Sequence, residues 1–557
     1  MDNYEIADQF SLLAKLMDIH GENSFKSKTY SSAAFAIEKL PQQIASLPQE
    51  KIFQIRGIGE SVGKKVIEIL ENGEMQVLSE YIINTPSGVL EMMNIKGLGP
   101  KKINTLWKEM KIDSIEELQK ACEENLIATK KGFGEKTQQN ILESIQFQKE
   151  SAGKYLYKKV ESFATAFTAK LKEKFPNDKI EITGEFRRQL EIIESLEWVT
   201  TVSSDELKNY LLNDQVRLVV DRDGMLVLTA EETLFLHFHI VPEKDFYTKL
   251  FETSCSDEFL NEWTYVAKPK DHSSEEKIFT SAGFNFIPPY LRESKSLLLK
   301  GREKKFEDIV QTSDIKGLIH SHSNWSDGSY TIEEMATELI NLGFEYLVIS
   351  DHSKSAGYAN GLTEQRIREQ HRYIDELNKK FAPFKIFKSI ECDILGDGSL
   401  DYENKILSTF DLVITSIHSN LDMDEEKAMK RLIGAITNPY ATILGHMTGR
   451  LLLKRKGYPV DHKTIIDACA DHHVVIEINA SPSRLDMDWR WIDYAMEKGL
   501  TLSINPDAHA TEEFHNVKYG VLVAQKGALP KSKNLSSYSL KEFEEFLKTT
   551  KTLKGIS

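Results

Sequence analysis

The chain has 557 residues, 41% hydrophobic and 28% charged. This is globular composition over several cores and excludes a largely disordered chain. A net charge of −15 excludes an overall basic coat for nucleic acid, but local backbone donors and bound cations can still hold phosphates on an acidic protein. No apolar run reaches the roughly 20 residues of a membrane span. The acidic, polar start carries no secretory signal. The dispersed Cys122, Cys255, Cys392 and Cys469 argue against a disulfide framework or a cysteine-based zinc site. A cytoplasmic protein with no membrane association and no obligate protein partner is expected.

Residues 1–150 read as helical, with apolar residues at helical spacing in IADQFSLLAKLMDIHG and YSSAAFAIEKL. One pattern recurs three times here: IRGIGESVGKKV at 55–66, IKGLGPKKI at 95–103 and KKGFGEKTQQNI at 130–141. The first glycine of each copy (Gly57, Gly97, Gly132) allows a tight turn with positive φ. The second (Gly59, Gly99, Gly134) lets a ligand approach the backbone. The next helix start then offers unpaired N–H groups backed by the helix dipole. Such a turn grips a DNA phosphate without reading sequence, and Lys64, Lys65, Lys101, Lys102 and Lys136 can add charge. The pattern resembles the helix-hairpin-helix motif of DNA repair proteins.

Residues 151–300 read as mixed α/β. A helix in KKVESFATAFTAKLKEKF is followed by strands KIEITG, QVRLVV, GMLVL and TLFLHFHIV, with Asp221-Arg222-Asp223-Gly224 as a hairpin turn. Over 314–557, strands alternate with helices: GLIHSH, EYLVISDH, KIFKSIECDI, DLVITSIHS, TILGHM, VVIEINAS and LSINPDAH. That alternation predicts a parallel α/β barrel. Eleven of the 15 histidines lie between His320 and His515.

The barrel strands end in metal-ligand residue types: His320 and His322, then Asp327 in the following turn, His352, Glu391, His418, His446, and Asp507 with His509. Strand C-termini of a β/α barrel meet at one face, so these nine are expected to converge on two or three divalent ions. Mixed imidazole and carboxylate donors suit Zn²⁺, Mn²⁺ or Fe²⁺. Such a site points to phosphoester hydrolysis. Glu477 and Asn479 either support these ligands or are ordinary strand polar residues. His371, His462, His472, His473 and His515 are expected at the surface.

The stretches IHSHSNWSDGS, ISDHSKS, ECDIL, SIHSN, GHMTGRLL and PDAH closely resemble the PHP (polymerase and histidinol phosphatase) domain. The resemblance implies a distorted (β/α)7 barrel with a three-metal site of Mn²⁺ or Zn²⁺, all nine positions filled. It also assigns Arg450 and Lys354 to phosphate binding in catalysis.

Helical hairpins, a mixed middle and a PHP barrel occur together in bacterial family X DNA polymerases, and the resemblance spans essentially the whole chain. ENSFKSKTYSSAAFAIEKL, FIPPYLRES and ITGEFRR support it, the last resembling the family's GSYRRG stretch. The middle segment is then a nucleotidyltransferase-like palm and thumb. Template-directed synthesis needs three carboxylates around two Mg²⁺ ions. The matching positions here are Ser195, Glu197 and His237, and one carboxylate of three cannot hold that metal pair. His237 and His239 read as ordinary sheet residues.

The reading that results is a DNA-repair phosphoesterase. It is a 3′→5′ exonuclease working through the barrel on gapped, nicked or 3′-ended DNA, on a polymerase scaffold whose own site has decayed. An active gap-filling polymerase with an attached nuclease and a non-catalytic DNA-binding scaffold remain as alternatives.

Overall fold

The computed structural model describes residues 1–557 except Asp2, Lys39, Pro41, Arg56, Glu231, Glu232, Lys304 and Ser557. The chain divides into two compact units, Met1–Ala152 and Gly153–Ser557. Among the described residues, no helix is long and apolar enough to cross a membrane.

The first unit is all helix. Its longer helices are Asn3–His20, Ser24–Glu38, Glu60–Asn72 and Glu135–Ser151. Their apolar stripes (Phe10, Leu13, Ile37, Val66, Ile141) meet Leu106 and Leu118 in one core, as a 3.6-residue period requires.

The second unit opens with the strands β1 (Tyr155–Leu156), β2 (Ile180–Thr183), β3 (Ile192–Ile193), β4 (Ser195–Thr200), β5 (Val216–Arg222), β6 (Met225–Ala230) and β7 (Leu234–Ile240). Five of them form a sheet in the order β2-β4-β7-β6-β5, with β4 and β7 parallel and the other pairs antiparallel. Alternation gives the sheet two faces. Leu196, Trp198, Leu226, Leu228, Leu236 and Phe238 turn to a core with Ala164 and Leu171 of helix Tyr157–Lys174. Ser195, Glu197, His237 and His239 take the opposite face. The hairpin turn is as the sequence predicts, with Asp223 and Gly224 both at positive φ (52° and 74°). Asp221 ends up on β5, held by Ser204 at 2.8 Å and Lys208 at 2.5 Å.

Eight parallel strands follow: β8 (Gly317–Ser321), β9 (Tyr346–Ile349), β10 (Lys385–Lys388), β11 (Glu391–Asp393), β12 (Ile414–Ser416), β13 (Ile443–Leu444), β14 (Val475–Asn479) and β15 (Leu502–Asn505). KIFKSIECDI breaks at Ser389–Ile390, so β10 pairs with β9 and β11 with β12. β10 and β11 are therefore successive pieces of one stave in a seven-stave ring. Bridges between His352 and Glu391 and between Ser321 and Ala508 close it. At the end of the barrel opposite the strand C-termini, helix Leu540–Leu553 inserts Phe543 against Tyr346 and Phe387, with ring centroids at 4.5 and 4.9 Å.

The middle segment and the barrel pack as one unit. Lys526 is fully buried and reaches Glu293 and the Arg188 carbonyl, both at 2.8 Å. Lys518 and Tyr519 both meet Glu161 at 2.8 Å.

Candidate metal centre and DNA-binding turns

The strand C-termini bring all nine expected residues into four overlapping groups, each with donor atoms within 4.8 Å of one another. They are His322, Asp327, His352 and His509; His320, His322 and Glu391; His320, His446 and Asp507; and His352, Glu391 and His418. Glu391 is the hub. Its carboxylate lies 3.3 Å from His320, 3.0 Å from His352, 3.1 Å from His418 and 2.9 Å from His446. Asp507 sits 3.2 Å from His322, and Asp327 3.5 Å from His509.

His320 and His322 do not arrive by simple pleat alternation. The ladder between β8 and β9 shifts register between Leu318 and Ser321, and His320 takes φ +63°. Asp507 is also left-handed, at φ +54°. Non-glycine residues held in that region are commoner at functional sites, where surrounding structure over-determines them.

Whether metal ions fit can be tested on the buried donors. His320 Nε2, His322 Nδ1, His352 Nδ1, His446 Nδ1 and Glu391 Oε2 are buried with no hydrogen-bond partner among the described residues. Buried polar atoms are otherwise almost always satisfied. Several stand 3.0–3.6 Å from an opposing donor or acceptor without hydrogen-bond geometry. Four imidazoles and one carboxylate left in this state, within a cluster of six imidazoles and three carboxylates, fit divalent first-row ions.

A second ring orients the first. His320 Nδ1 bonds Glu477 at 2.6 Å, which leaves Nε2 facing the cluster. Glu477 also accepts from the His446 backbone N–H at 3.0 Å and from Asn479 and Asn505 at 2.9 and 2.8 Å. Asn479 donates to Asp507 at 3.1 Å. Both side chains thus bond residues of the cluster. His418 Nδ1 meets Asp393, whose other oxygen accepts from Ser355 at 2.6 Å. A carboxylate behind an imidazole fixes its tautomer and raises its basicity.

The charges balance by mutual proximity. Burial would depress the His418 imidazole, but Glu391 and Asp393 lift it to about 10. Against the same burial, Asp327 and Asp507 lift His509 to about 9. His322 goes the other way, to about 3, because it is buried beside His509 and His352. Burial pushes the carboxyls of Glu391 and Asp507 upward, yet the imidazoles around them hold both well below the usual range.

The expected phosphate ligand Arg450 is turned elsewhere. Its guanidinium donates to the carbonyls of Arg484 and Leu485 and to Asp488 at 2.8 Å, and lies 3.7 Å from Glu191. The irregular loop 481–488 leaves carbonyls without ladder partners, and Arg450 satisfies them. Arg484, which the sequence reading passed over, has its Nε 3.6 Å from Asp507 Oδ2. Lys354 lies on the rim, half-exposed, its ammonium 3.9 Å from Glu364. His472, His473 and His515 are exposed. His371 and His462 are not simple surface residues: His371 packs edge-on against Phe410, and His462 stacks on Trp491 at 4.8 Å.

The polymerase-like sheet presents another picture. Glu197 lies directly opposite His237 in the β4–β7 register, and Ser195 opposite Phe235. Glu197 bonds His239 at 2.9 Å. Burial raises the Glu197 carboxyl, but His239 and His237 bring it below its ordinary value. The adjacent arginines are also taken: Arg187 by Glu275 at 2.5 and 3.0 Å, and Arg188 by Glu293 at 3.1 Å.

In the helical unit the three Gly-x-Gly turns share a left-handed first glycine, while the second is extended at Gly59 and Gly99 and at φ +103° at Gly134. Gly57, Gly97 and Gly132 have φ of +94°, +87° and +95°. Gly59, Gly99 and Gly134 are the N-caps of the next helices. A Cβ at Gly59, Gly99, Gly132 or Gly134 would meet nothing within 4 Å, so these turns are open. Lys64 pairs with Glu60 at 2.7 Å, and Lys102 bonds the Gly97 carbonyl at 3.0 Å.

Comparison with known proteins agrees with this layout. Residues 1–75 match a helix-hairpin-helix domain family, 89–146 a SAM-like helix-hairpin-helix tandem, and 319–481 the PHP domain. The chain is 32% identical to the DNA polymerase/3′-5′ exonuclease PolX of Bacillus subtilis (strain 168), over 98% of this chain and 100% of that one. It belongs to the PHP-containing family X DNA polymerases. A family X member of this build is an enzyme of the polymerase–exonuclease type, and its helix-hairpin-helix domains support DNA binding. Over 244 residues the chain is also 27% identical to a protein of Thermoanaerobacter sp. (strain X514) described as a "Probable phosphatase", covering 42% of this chain and 94% of that one.

Proposed function

We propose that this family X protein is a metal-dependent 3′→5′ exonuclease whose barrel hydrolyses DNA ends and whose polymerase site no longer extends them. The nine-residue cluster with its unsatisfied buried donors carries the reading. His320, His322, Asp327, His352, Glu391, His418, His446, Asp507 and His509 would hold two or three ions, Mn²⁺ or Zn²⁺, with Fe²⁺ also compatible with the donors. Such ions, when bound, activate a water and polarise the phosphate. Glu477 and Asp393 hold the His320 and His418 tautomers, and Arg484, beside Asp507, is the arginine placed to meet a phosphate oxygen. Lys354 adds positive charge at the rim. The hairpin turns of residues 1–150, through Gly57, Gly59, Lys64, Gly97, Gly99, Lys101, Gly132 and Gly134, would hold the duplex by its phosphates.

The Bacillus relative's name couples polymerase and exonuclease. Only the second activity is proposed here. Ser195, Glu197 and His237 leave one carboxylate on the face where synthesis needs three, and that carboxylate is bonded to His239. An end-labelled gapped duplex incubated with Mn²⁺, with and without the four deoxynucleotides, tests both halves. Shortening without extension is expected. Nucleotide-dependent extension would overturn the polymerase half, and an intact label in both lanes would overturn the nuclease half.

A further inference from the structure

Tyr358 is an aromatic side chain at the metal cluster that packing does not explain. It is 68% exposed, yet its ring centroid is 6.2 Å from that of His352, tilted by 57°. Large exposed aromatics on loops are usually free to move, but the loop that carries this one is held. The turn Gly357–Ala359 lies in a loop closed by a bridge between Ser353 and Leu362. The Gly361 N–H donates to the Ala356 carbonyl at 3.1 Å, and Arg366 donates to the Asn360 carbonyl at 2.8 Å. A Cβ at Gly361 would fall 1.9 Å from the Ser353 carbonyl oxygen, so the loop is packed down on itself. The ring thus meets the cluster at His352 and leaves most of its surface to solvent, and Arg484 stands in the same cluster, 3.6 Å from Asp507.

A rigid aromatic surface beside a phosphoester-cleaving centre has the form of a stacking platform. Bases stack on such rings with little sequence preference, because every base has a π-face. Resting on the exonuclease reading, we propose that Tyr358 stacks on the 3′-terminal nucleobase while Arg484 holds the phosphate being cleaved. The terminal nucleotide is then recognised by its base plane and its charge, not by its base identity.

The test uses the full-length protein and single-stranded oligonucleotides ending in 2-aminopurine, mixed in stopped flow so that binding is read before turnover. Wild type and Tyr358→Phe should change the fluorescence on binding. Tyr358→Ala should bind through its other contacts with the change lost. An equal change in Tyr358→Ala would overturn the proposal. A second arm compares oligonucleotides ending in thymidine or in a tetrahydrofuran residue that lacks a base. Wild type and Tyr358→Phe should show KM about tenfold lower for the base-bearing end, and Tyr358→Ala should bring the two ends together. Discrimination that persists in Tyr358→Ala also overturns it. A wild-type protein that gives the fluorescence change but cleaves neither end supports the stacking platform and overturns the exonuclease reading.

Discussion

Two carboxylate-and-imidazole sites lie in the same compact unit, and they differ in whether their polar atoms are satisfied. On the β4–β7 face, Glu197 has its imidazole partner, and Arg187 and Arg188 have carboxylates of their own. At the barrel mouth, four imidazole nitrogens and a Glu391 oxygen are buried with none. Burying a polar atom without a partner costs about 1–3 kcal/mol. The barrel cluster accordingly reads as a site that awaits ions, and the sheet face as one that has closed on itself. The difference is physical: the sheet-face carboxylate and arginines are taken up in internal pairs, while donors at the barrel mouth face one another unpaired.

The comparison breaks first at the barrel. His322→Ala, which removes a donor shared by two groups, or Asp507→Ala, which removes the carboxylate of a third, should lower hydrolysis by more than the roughly 10–100-fold expected even of a supporting residue, with DNA binding largely retained. Turnover of a labelled 3′ end, read beside metal content, checks it; full activity in both variants would sink the cluster assignment.

The next effect concerns stability at the sheet. Glu275 joins Arg187 to the fully buried Arg292, at 2.6 Å from the latter. Glu275→Ala would strand that guanidinium, for an expected loss of about 3–5 kcal/mol in chemical denaturation. The pH dependence has a definite sign. Burial raises the Glu275 carboxyl, but the two arginines bring it below its ordinary value. Its contribution is therefore fully present above the unfolded value of about 4.3 and lost as pH falls through the lower folded value. Wild type should show this acid limb and Glu275→Ala should not. A variant as stable as wild type would mean that the arginines are not locked, and the sheet face would regain the capacity to bind phosphate.

A smaller effect sharpens the barrel side. Glu477→Gln keeps the shape of the ring behind His320 but removes its charge. Metal affinity should fall by roughly 10–100-fold, measured by competition with a chelator. An unchanged affinity would return Glu477 to being an ordinary strand residue.

Much of this was legible because it repeats or alternates. The Gly-x-Gly turns come three times, and histidines or carboxylates recur at one strand end after another, so position in a barrel stave already implies convergence. What escaped lacks a period. β4, which carries Ser195 and Glu197, is absent from the strands that the sequence predicts. The helices Phe246–Thr253, Asp257–Val266, Glu275–Ser281 and Lys295–Glu303 were not resolved from sequence either. Arg484 sits in an irregular loop, and only the fold brings it to Asp507. Arg450, in the GHMTGRLL stretch, reads as a phosphate ligand only through the resemblance to the PHP motif. Its role in satisfying loop carbonyls follows from backbone geometry that no spacing encodes. Asp393 had a local signal, the Glu-x-Asp step of ECD, which places both carboxylates on one side of the strand.

The smallest predicted effect extends the contrast to the helical unit and separates ligand binding from folding. Gly57 and Gly97 sit at φ of +94° and +87°, so a side chain there strains the turn and any loss of DNA binding is ambiguous. Gly59 and Gly99 are different: both have φ −80°, an extended conformation open to any residue, and a Cβ at either meets nothing within 4 Å. The fold itself gives no steric reason for glycine at these helix starts, whereas a phosphate drawn against the backbone N–H groups does. The double substitution Gly59→Val with Gly99→Val should cost about 1–3 kcal/mol of stability through the two weakened N-caps, leave the unit folded, and weaken duplex binding roughly tenfold, the scale of one charge-assisted hydrogen bond. Fluorescence anisotropy on a gapped duplex, alongside thermal denaturation, checks both. Undiminished affinity would mean that the open turns are helix connections and that the DNA is gripped elsewhere.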